Sequence, residues 1–180
     1  MNPSANLILV GPMGAGKTSI GQRLAGLCGL QLLDLDREIE RDSGATVTQL
    51  FEREGEAGFR TRETAMLARL LDADGIVLAT GGGAVLDGGN RSLLRERGFV
   101  VHLHASVGQQ LERLAHDHTR PLLARPDREQ VLHGLAAIRT PLYAEVADLE
   151  FDSGGLDAET AAAQLAALLA QRWQRLGAAA

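Results

Sequence analysis

The sequence predicts an α/β fold in three layers, with a central five-stranded parallel sheet flanked by helices. Three observations carry this expectation. Short apolar runs alternate with longer amphipathic segments along the 180 residues, the pattern of repeated strand–helix units. The first apolar run leads into a glycine-rich turn, Gly11-Pro-Met-Gly-Ala-Gly16, that opens a helix. The third leads into the triplet Gly81-Gly82-Gly83, at the strand end where open α/β sheets receive ligands.

Taken in order, the apolar runs place strands at Asn6–Val10, Gln31–Leu35, Ile76–Ala79, Phe99–His104 and Leu149–Asp152. Helical periodicity between and after them places helices at Lys17–Cys28, Asp36–Ser43, Thr46–Glu54, Phe59–Ala73, Arg91–Arg97, Val107–Leu114, Arg128–Leu142 and Leu156–Leu176. Thr46 followed by Gln49 fits a capping box. In the last helix Leu165, Leu168, Leu169, Trp173 and Leu176 share a spacing that would cover the sheet. Two stretches fit neither pattern. Thr80–Asn90 reads as a glycine-rich loop. Ala115–Asp127 is polar, carries Pro121 and Pro126, and exceeds the usual connection length, which suggests a mobile lid. From Arg113 to Arg128 the chain has four Arg against two Asp, a basic segment suited to an anionic ligand. No internal repeat or linker divides the chain, so residues 1–180 are expected to form a single domain.

Composition excludes several classes. The net charge is -5, hydrophobic residues make up 45%, and the aromatic residues are four Phe, one Trp and one Tyr. An acidic chain poor in aromatic rings lacks the basic groove and stacking platforms that nucleic-acid binding needs. One cysteine, Cys28, excludes a disulfide framework and is expected to be a small buried hydrophobe. No run approaches a membrane span, and no basic segment precedes Leu7–Val10 as in a secretory signal, so a cytoplasmic protein is expected.

Gly11–Thr18 matches G-x-x-x-x-G-K-[ST], the P-loop, in its proper strand-to-helix context. Its glycines let backbone N–H groups and the helix N-terminus point at phosphate. Lys17 can reach the terminal phosphates and the Thr18 hydroxyl can ligate Mg²⁺. Lys17 is also the only lysine, in a chain whose other 17 cations are arginine. The motif points to a nucleoside-triphosphate site on a P-loop NTPase fold.

Asp34 and Asp36 close the second strand, where alternation would put both carboxylates on one side near the P-loop. One could hold Mg²⁺ through water and the other accept a proton from a substrate hydroxyl. Asp36 could equally be a helix cap. Arg60 and Glu63 share a helix face, as an ordinary surface ion pair or as an arginine oriented for a carboxylate ligand. The glycine triplet, Arg120-Pro-Leu-Leu123, and Arg139 ahead of Pro141-Leu-Tyr143 are weak signals singly. His102 and His104 alternate on a strand and His116 and His118 follow, but no zinc-type spacing of further ligands accompanies them.

In order along the chain, Gly11–Thr18, Leu33-Asp34-Leu-Asp36 with Ile39-Glu40, Leu50–Glu56, Phe59-Arg60 with Glu63, the glycine triplet, Arg120-Pro-Leu-Leu and Arg139 with Pro-Leu-Tyr143 resemble the shikimate kinase family. The match runs from about Leu7 to Asp148. The resemblance implies transfer of the ATP γ-phosphoryl group to the 3-hydroxyl of shikimate, within aromatic amino acid biosynthesis. It implies that Gly14, Ala15, Gly16, Lys17, Thr18 and Ser19 bind phosphates, and that Thr18 and Asp34 serve Mg²⁺. Asp36 would bind the substrate hydroxyl and act as base. Arg60 and Arg139 would grip the shikimate carboxylate, with Gly82 as a backbone contact and substrate-binding helices over about 36–63. Arg120 in the lid would reach the phosphates as a catalytic group, and Arg113 would pack on adenine. Ser153–Leu156, where the family holds adenine, gives no clear match. The expected partners are ATP/ADP and shikimate, with no nucleic acid or membrane, and the chain is expected to act as a monomer.

Two rivals are weighed. A gluconate kinase on the same scaffold has no evident need for two arginines beside Asp36, and a nucleoside monophosphate kinase fits less well. A GTPase switch needs an N-K-x-D motif, which a chain whose one lysine is Lys17 cannot contain.

Overall fold

The computed structural model describes residues 3–115 and 127–176. Arg120 and nearly all of the expected lid therefore lie outside the described residues. The elements are β1 (Leu7–Val10), α1 (Lys17–Cys28), β2 (Gln31–Asp34), α2 (Leu35–Ser43), α3 (Val47–Leu70), β3 (Ile76–Ala79), α4 (Gly88–Arg97), β4 (Phe99–His104), α5 (Val107–Arg113), α6 (Arg128–Val146), β5 (Leu149–Asp152) and α7 (Ala158–Arg172). The five strands form one parallel sheet in the order β2-β3-β1-β4-β5. β1 lies at its centre, with Leu7 opposite Val77 on one side and Phe99 on the other.

Strand alternation divides the core into two layers. Ile8 and Val10 of β1, Leu78 of β3 and Val100 of β4 pack with α2, α3, α4 and α6. Leu7, Leu9, Val77 and Val101 face the opposite way, onto α1 and α7. Central strands buried on both faces are continuously apolar, which is why β1 and β3 read as plain apolar runs. Among the described residues no helix is long and apolar enough to cross a membrane.

Several local expectations are corrected. β1 begins at Leu7, and the Asn6 side chain just before it ties the connections below the sheet. It donates to Ala73 O at 2.9 Å and accepts from Ile76 N at 3.2 Å. β2 ends at Asp34, whose carboxylate accepts from Arg37 N and so caps α2. The two helices expected at Thr46–Glu54 and Phe59–Ala73 are present as two helical segments of α3 that meet at Gly55, whose φ of 70° and ψ of 179° are non-helical, a backbone state that glycine adopts without a Cβ clash, and the second ends at Leu70. Its Thr46–Gln49 capping box is present, with bonds of 3.2 and 3.0 Å. Thr80–Asn90 is not wholly a loop: it holds a short 3₁₀ turn at Ala84–Leu86, and α4 starts at Gly88, capped by Asp87. α6 runs through Pro141 to Val146, since its continuation buries Tyr143 and Val146.

α7 is shorter than expected. Asp157 caps its start and it ends at Arg172. Ala161, Ala162, Leu165 and Leu169 cover the sheet, whereas Leu168 and Leu176 are exposed. Trp173 leaves the helix to pack near Phe99 and donates to Ser4 O at 2.9 Å. Cys28 is half-buried rather than buried, and burial raises its thiol pKa.

Candidate functional site

The strand order opens the sheet at its carboxyl edge beside β1, where Gly11–Gly16 leaves the strand and turns into α1. Gly14 and Gly16 have φ of 77° and 87°. Gly16 is the N-cap of α1, so the N–H groups of the first helical turn, which have no carbonyl partner within the helix, open onto the loop. The Lys17 ammonium donates to Gly11 O and Pro12 O, both at 2.7 Å, which holds it across the loop.

Thr18 Oγ1 donates to Asp34 Oδ2 at 2.6 Å. Asp34 and Asp36 do lie near the P-loop, though not by strand alternation. Asp34 caps α2 and Asp36 falls in its first turn, so Asp34 takes the capping role considered for Asp36. Both line a cavity of about 820 Å³ together with Gly14, Gly16, Lys17, Thr18, Ser19 and Arg113. Arg113 braces this region: it donates to Gly14 O at 2.8 Å and Ser153 O at 3.3 Å, while Ser153 Oγ donates to Ala15 O. The poorly matched Ser153 segment thus supports the P-loop through its backbone and hydroxyl.

A smaller cavity of about 70 Å³ adjoins, lined by Asp36, Phe51, Arg60, Glu63, Gly82 and Arg139 among others. Asp36, Gly81 and Gly82 line both cavities. The Arg60–Glu63 pair, which could have been an ordinary surface contact, is instead inward. Arg60 Nη1 donates to Glu63 Oε2 at 2.7 Å and Nη2 to the exposed Glu56 at 3.2 Å, and Glu63 is only 1% exposed. Burial raises the Glu63 pKa against the pull of Arg60. For Arg60, burial works against the charge, but Glu63 and Glu56 outweigh it and its pKa rises. Its guanidinium also stands 5.4 Å from the Phe59 ring centroid and 5.9 Å from that of Phe51.

Arg139 is 5% exposed, an unusual burial for arginine. Its Nε, the Arg60 Nε and Glu63 Oε1 are buried atoms without a hydrogen-bond partner. Such a group costs roughly 1–3 kcal/mol unless ligand or water meets it. The glycine triplet is tight against these charges. A Cβ on Gly81 would stand 2.9 Å from both Asp36 Oδ1 and Glu63 Oε1, and one on Gly83 would strike the Arg60 guanidinium. Tyr143 Oη donates to Gly82 O at 2.5 Å, and burial pushes its pKa up to about 12, which keeps it a neutral donor.

The structure therefore brings Gly14–Ser19, Asp34, Asp36, Arg60, Gly82, Arg113 and Arg139 to two adjoining cavities. Arg120 lies outside the described residues. Sequence reasoning gave no site role to Glu63 or Tyr143. Helical spacing paired Glu63 with Arg60 but held no sign of its burial. A lone Tyr in an aromatic-poor chain, beside Arg139, was an available signal for the second.

A shikimate kinase family model matches residues 13–170. The shikimate kinase of Stenotrophomonas maltophilia strain K279a is 57% identical over 175 residues, covering 97% of each chain. Among solved structures, Acinetobacter baumannii shikimate kinase in complex with shikimate aligns with TM-score 0.91 and 47% identity over 94% of this chain and 95% of that one. Aquifex aeolicus shikimate kinase aligns with TM-score 0.78 and 28% identity over 92% and 98%.

Proposed function

Since the chain belongs to the shikimate kinase family, we propose that it phosphorylates the 3-hydroxyl of shikimate with ATP, giving shikimate 3-phosphate and ADP. One observation supports this reading above the others: Asp36 stands where a P-loop cavity meets a smaller cavity flanked by the buried Arg139 and the half-buried Arg60. A small polyol bearing one carboxylate needs cationic clamps and a hydroxyl acceptor, and Arg60, Arg139 and Asp36 supply both.

In this proposal Gly14, Ala15, Gly16, Lys17, Thr18 and Ser19 bind the phosphates. Lys17 exchanges the Gly11 and Pro12 carbonyls for phosphoryl oxygens, where its charge offsets the negative charge that shifts in the transition state. The oxygen pair of Thr18 and Asp34 fits a hard divalent cation, so these two residues would hold Mg²⁺, Asp34 through water. Bound there, Mg²⁺ supplies charge neutralisation between phosphate oxygens. Arg60 and Arg139 grip the shikimate carboxylate, and Gly82 contacts substrate through its backbone. Asp36 orients the acceptor hydroxyl and takes its proton as the oxygen–phosphorus bond forms. Arg113 borders the base side of the nucleotide, and Arg120 reaches the phosphates. Alignment of acceptor and phosphoryl group is the main catalytic demand, which Asp36 serves from the junction of the two cavities.

Coupled ADP release measured with shikimate, gluconate, nucleoside monophosphates and no acceptor tests the reading. Shikimate-dependent release well above the others is expected. Preference for gluconate or a nucleotide overturns it.

A further inference from the structure

Outside the two cavities, His102 and His104 of β4 share one face of the sheet, and β5 lies alongside with His102 in register with Glu150. The third ligand type that sequence spacing failed to supply thus arrives from the neighbouring strand. Glu150 Oε2 lies 3.4 Å from His104 Nε2, and Oε1 lies 3.9 Å from His102 Nδ1. Among the described residues, these three offer ligand atoms within 4.8 Å of one another. Donors 2.0–2.1 Å from a tetrahedral zinc stand about 3.4 Å apart, so small rotations of the His104 and Glu150 side chains close the set.

An independent observation points to a ligand. His102 is 1% exposed, and its Nδ1 is a buried nitrogen with no hydrogen-bond partner, facing Glu150 beyond hydrogen-bond reach. Burying such a nitrogen without a partner is costly, and a bound cation would satisfy it. The site is also accessible from one side: the His104 and Glu150 side chains are 37% and 55% exposed.

We propose that His102, His104 and Glu150 form a site for a divalent transition cation of the zinc class, joining β4 to β5, with water completing four-coordination. Two imidazoles and one carboxylate select Zn²⁺, Co²⁺, Ni²⁺ or Cu²⁺ over Mg²⁺, which prefers oxygen donors. The cation would fasten the edge strand β5 just before Ser153, the residue that bonds Ala15 O and accepts from Arg113. Its role is therefore to steady the brace that Ser153 and Arg113 give the P-loop.

The test uses the full chain, chelator-stripped, with excess Mg²⁺ and ADP present so that the P-loop oxygens are occupied. Zn²⁺ is titrated by calorimetry, Co²⁺ by visible absorption, and thermal melts are run with and without Zn²⁺. One equivalent of Zn²⁺, a four-coordinate Co²⁺ spectrum and a higher Tm with Zn²⁺ are expected for the wild type. His104→Ala and Glu150→Gln, at a half-buried and an exposed position, should each weaken binding by at least the roughly 10–100-fold that loss of even an outer partner costs. Absence of stoichiometric binding in the wild type, or equal affinity in the wild type and either variant, overturns the proposal.

Discussion

Glu63→Gln separates what the buried carboxylate does for folding from what it does for Arg60. At the 2.7 Å contact the gross attraction is about 6 kcal/mol at an effective dielectric near 20. Removing one partner of a fully buried pair costs about 3–5 kcal/mol, because the other charge is left uncompensated. The direction of the Glu63 pKa argues otherwise: burial outweighs Arg60 and raises it, so the charged form is less favourable in the fold than in the unfolded chain. A raised folded pKa contributes stability that is complete below the unfolded value of 4.5 and lost as pH rises through the folded value. The glutamine side chain is close to the neutral form of Glu63, so the variant should gain stability relative to wild type as pH climbs through that window. At neutral pH the two should differ by no more than about 1 kcal/mol, a Tm change within roughly 4 °C. Arg60 keeps Glu56 but loses its buried anchor, so its guanidinium is less firmly aimed at the acceptor cavity. Shikimate KM should rise about tenfold, equivalent to about 1.4 kcal/mol, with the KM for ATP unchanged. Melts across pH and a coupled ADP-release assay read both effects. A loss of about 3 kcal/mol or more at neutral pH, as for a broken buried pair, or an unchanged shikimate KM, refutes the reasoning.

Other outcomes follow from the same geometry. Lys17→Met should lower turnover by about 10²–10³ or more with unchanged circular dichroism, and a folded variant with near-normal rate would remove Lys17 from the chemistry. Arg139→Ala deletes a charge-assisted contact worth roughly 1.5–3 kcal/mol and should raise shikimate KM about 10–100-fold; loss of ATP affinity instead would mean that the two cavities have been exchanged. Tyr143→Phe removes the donor to Gly82 O, leaving that carbonyl short of one bond, and should cost about 1 kcal/mol of stability with a modest rise in shikimate KM. Unchanged melting and kinetics in Tyr143→Phe would show that the Gly82 backbone is held by its neighbours alone.

Features carried by local pattern were legible in the sequence. The P-loop is a contiguous run whose glycines and Lys17 need only a strand before and a helix after. Ile76–Ala79, Phe99–His104 and Leu149–Asp152 match their strands residue for residue, because turn residues bracket each apolar run. The Thr46 capping box and α1 are equally local. Where two local preferences competed, tertiary structure decided. Leu35 could have continued the strand, but Asp34, the last residue of β2, turns its carboxylate onto Arg37 N and caps α2, so the helix starts at Leu35. Pro141 could have ended α6, but burial of Tyr143 and Val146 carries the helix past it. Only the strand order β2-β3-β1-β4-β5 brings the P-loop and the glycine triplet to one edge, with Asp36, Arg60 and Arg139 around it. It also sets Glu150 beside His102, 48 positions earlier in the chain. Periodicity reports which face of an element is apolar, and so which face will be buried. Which elements meet across that buried face is fixed by packing the whole chain, and the burial of Glu63, Arg139 and His102 follows from that packing alone.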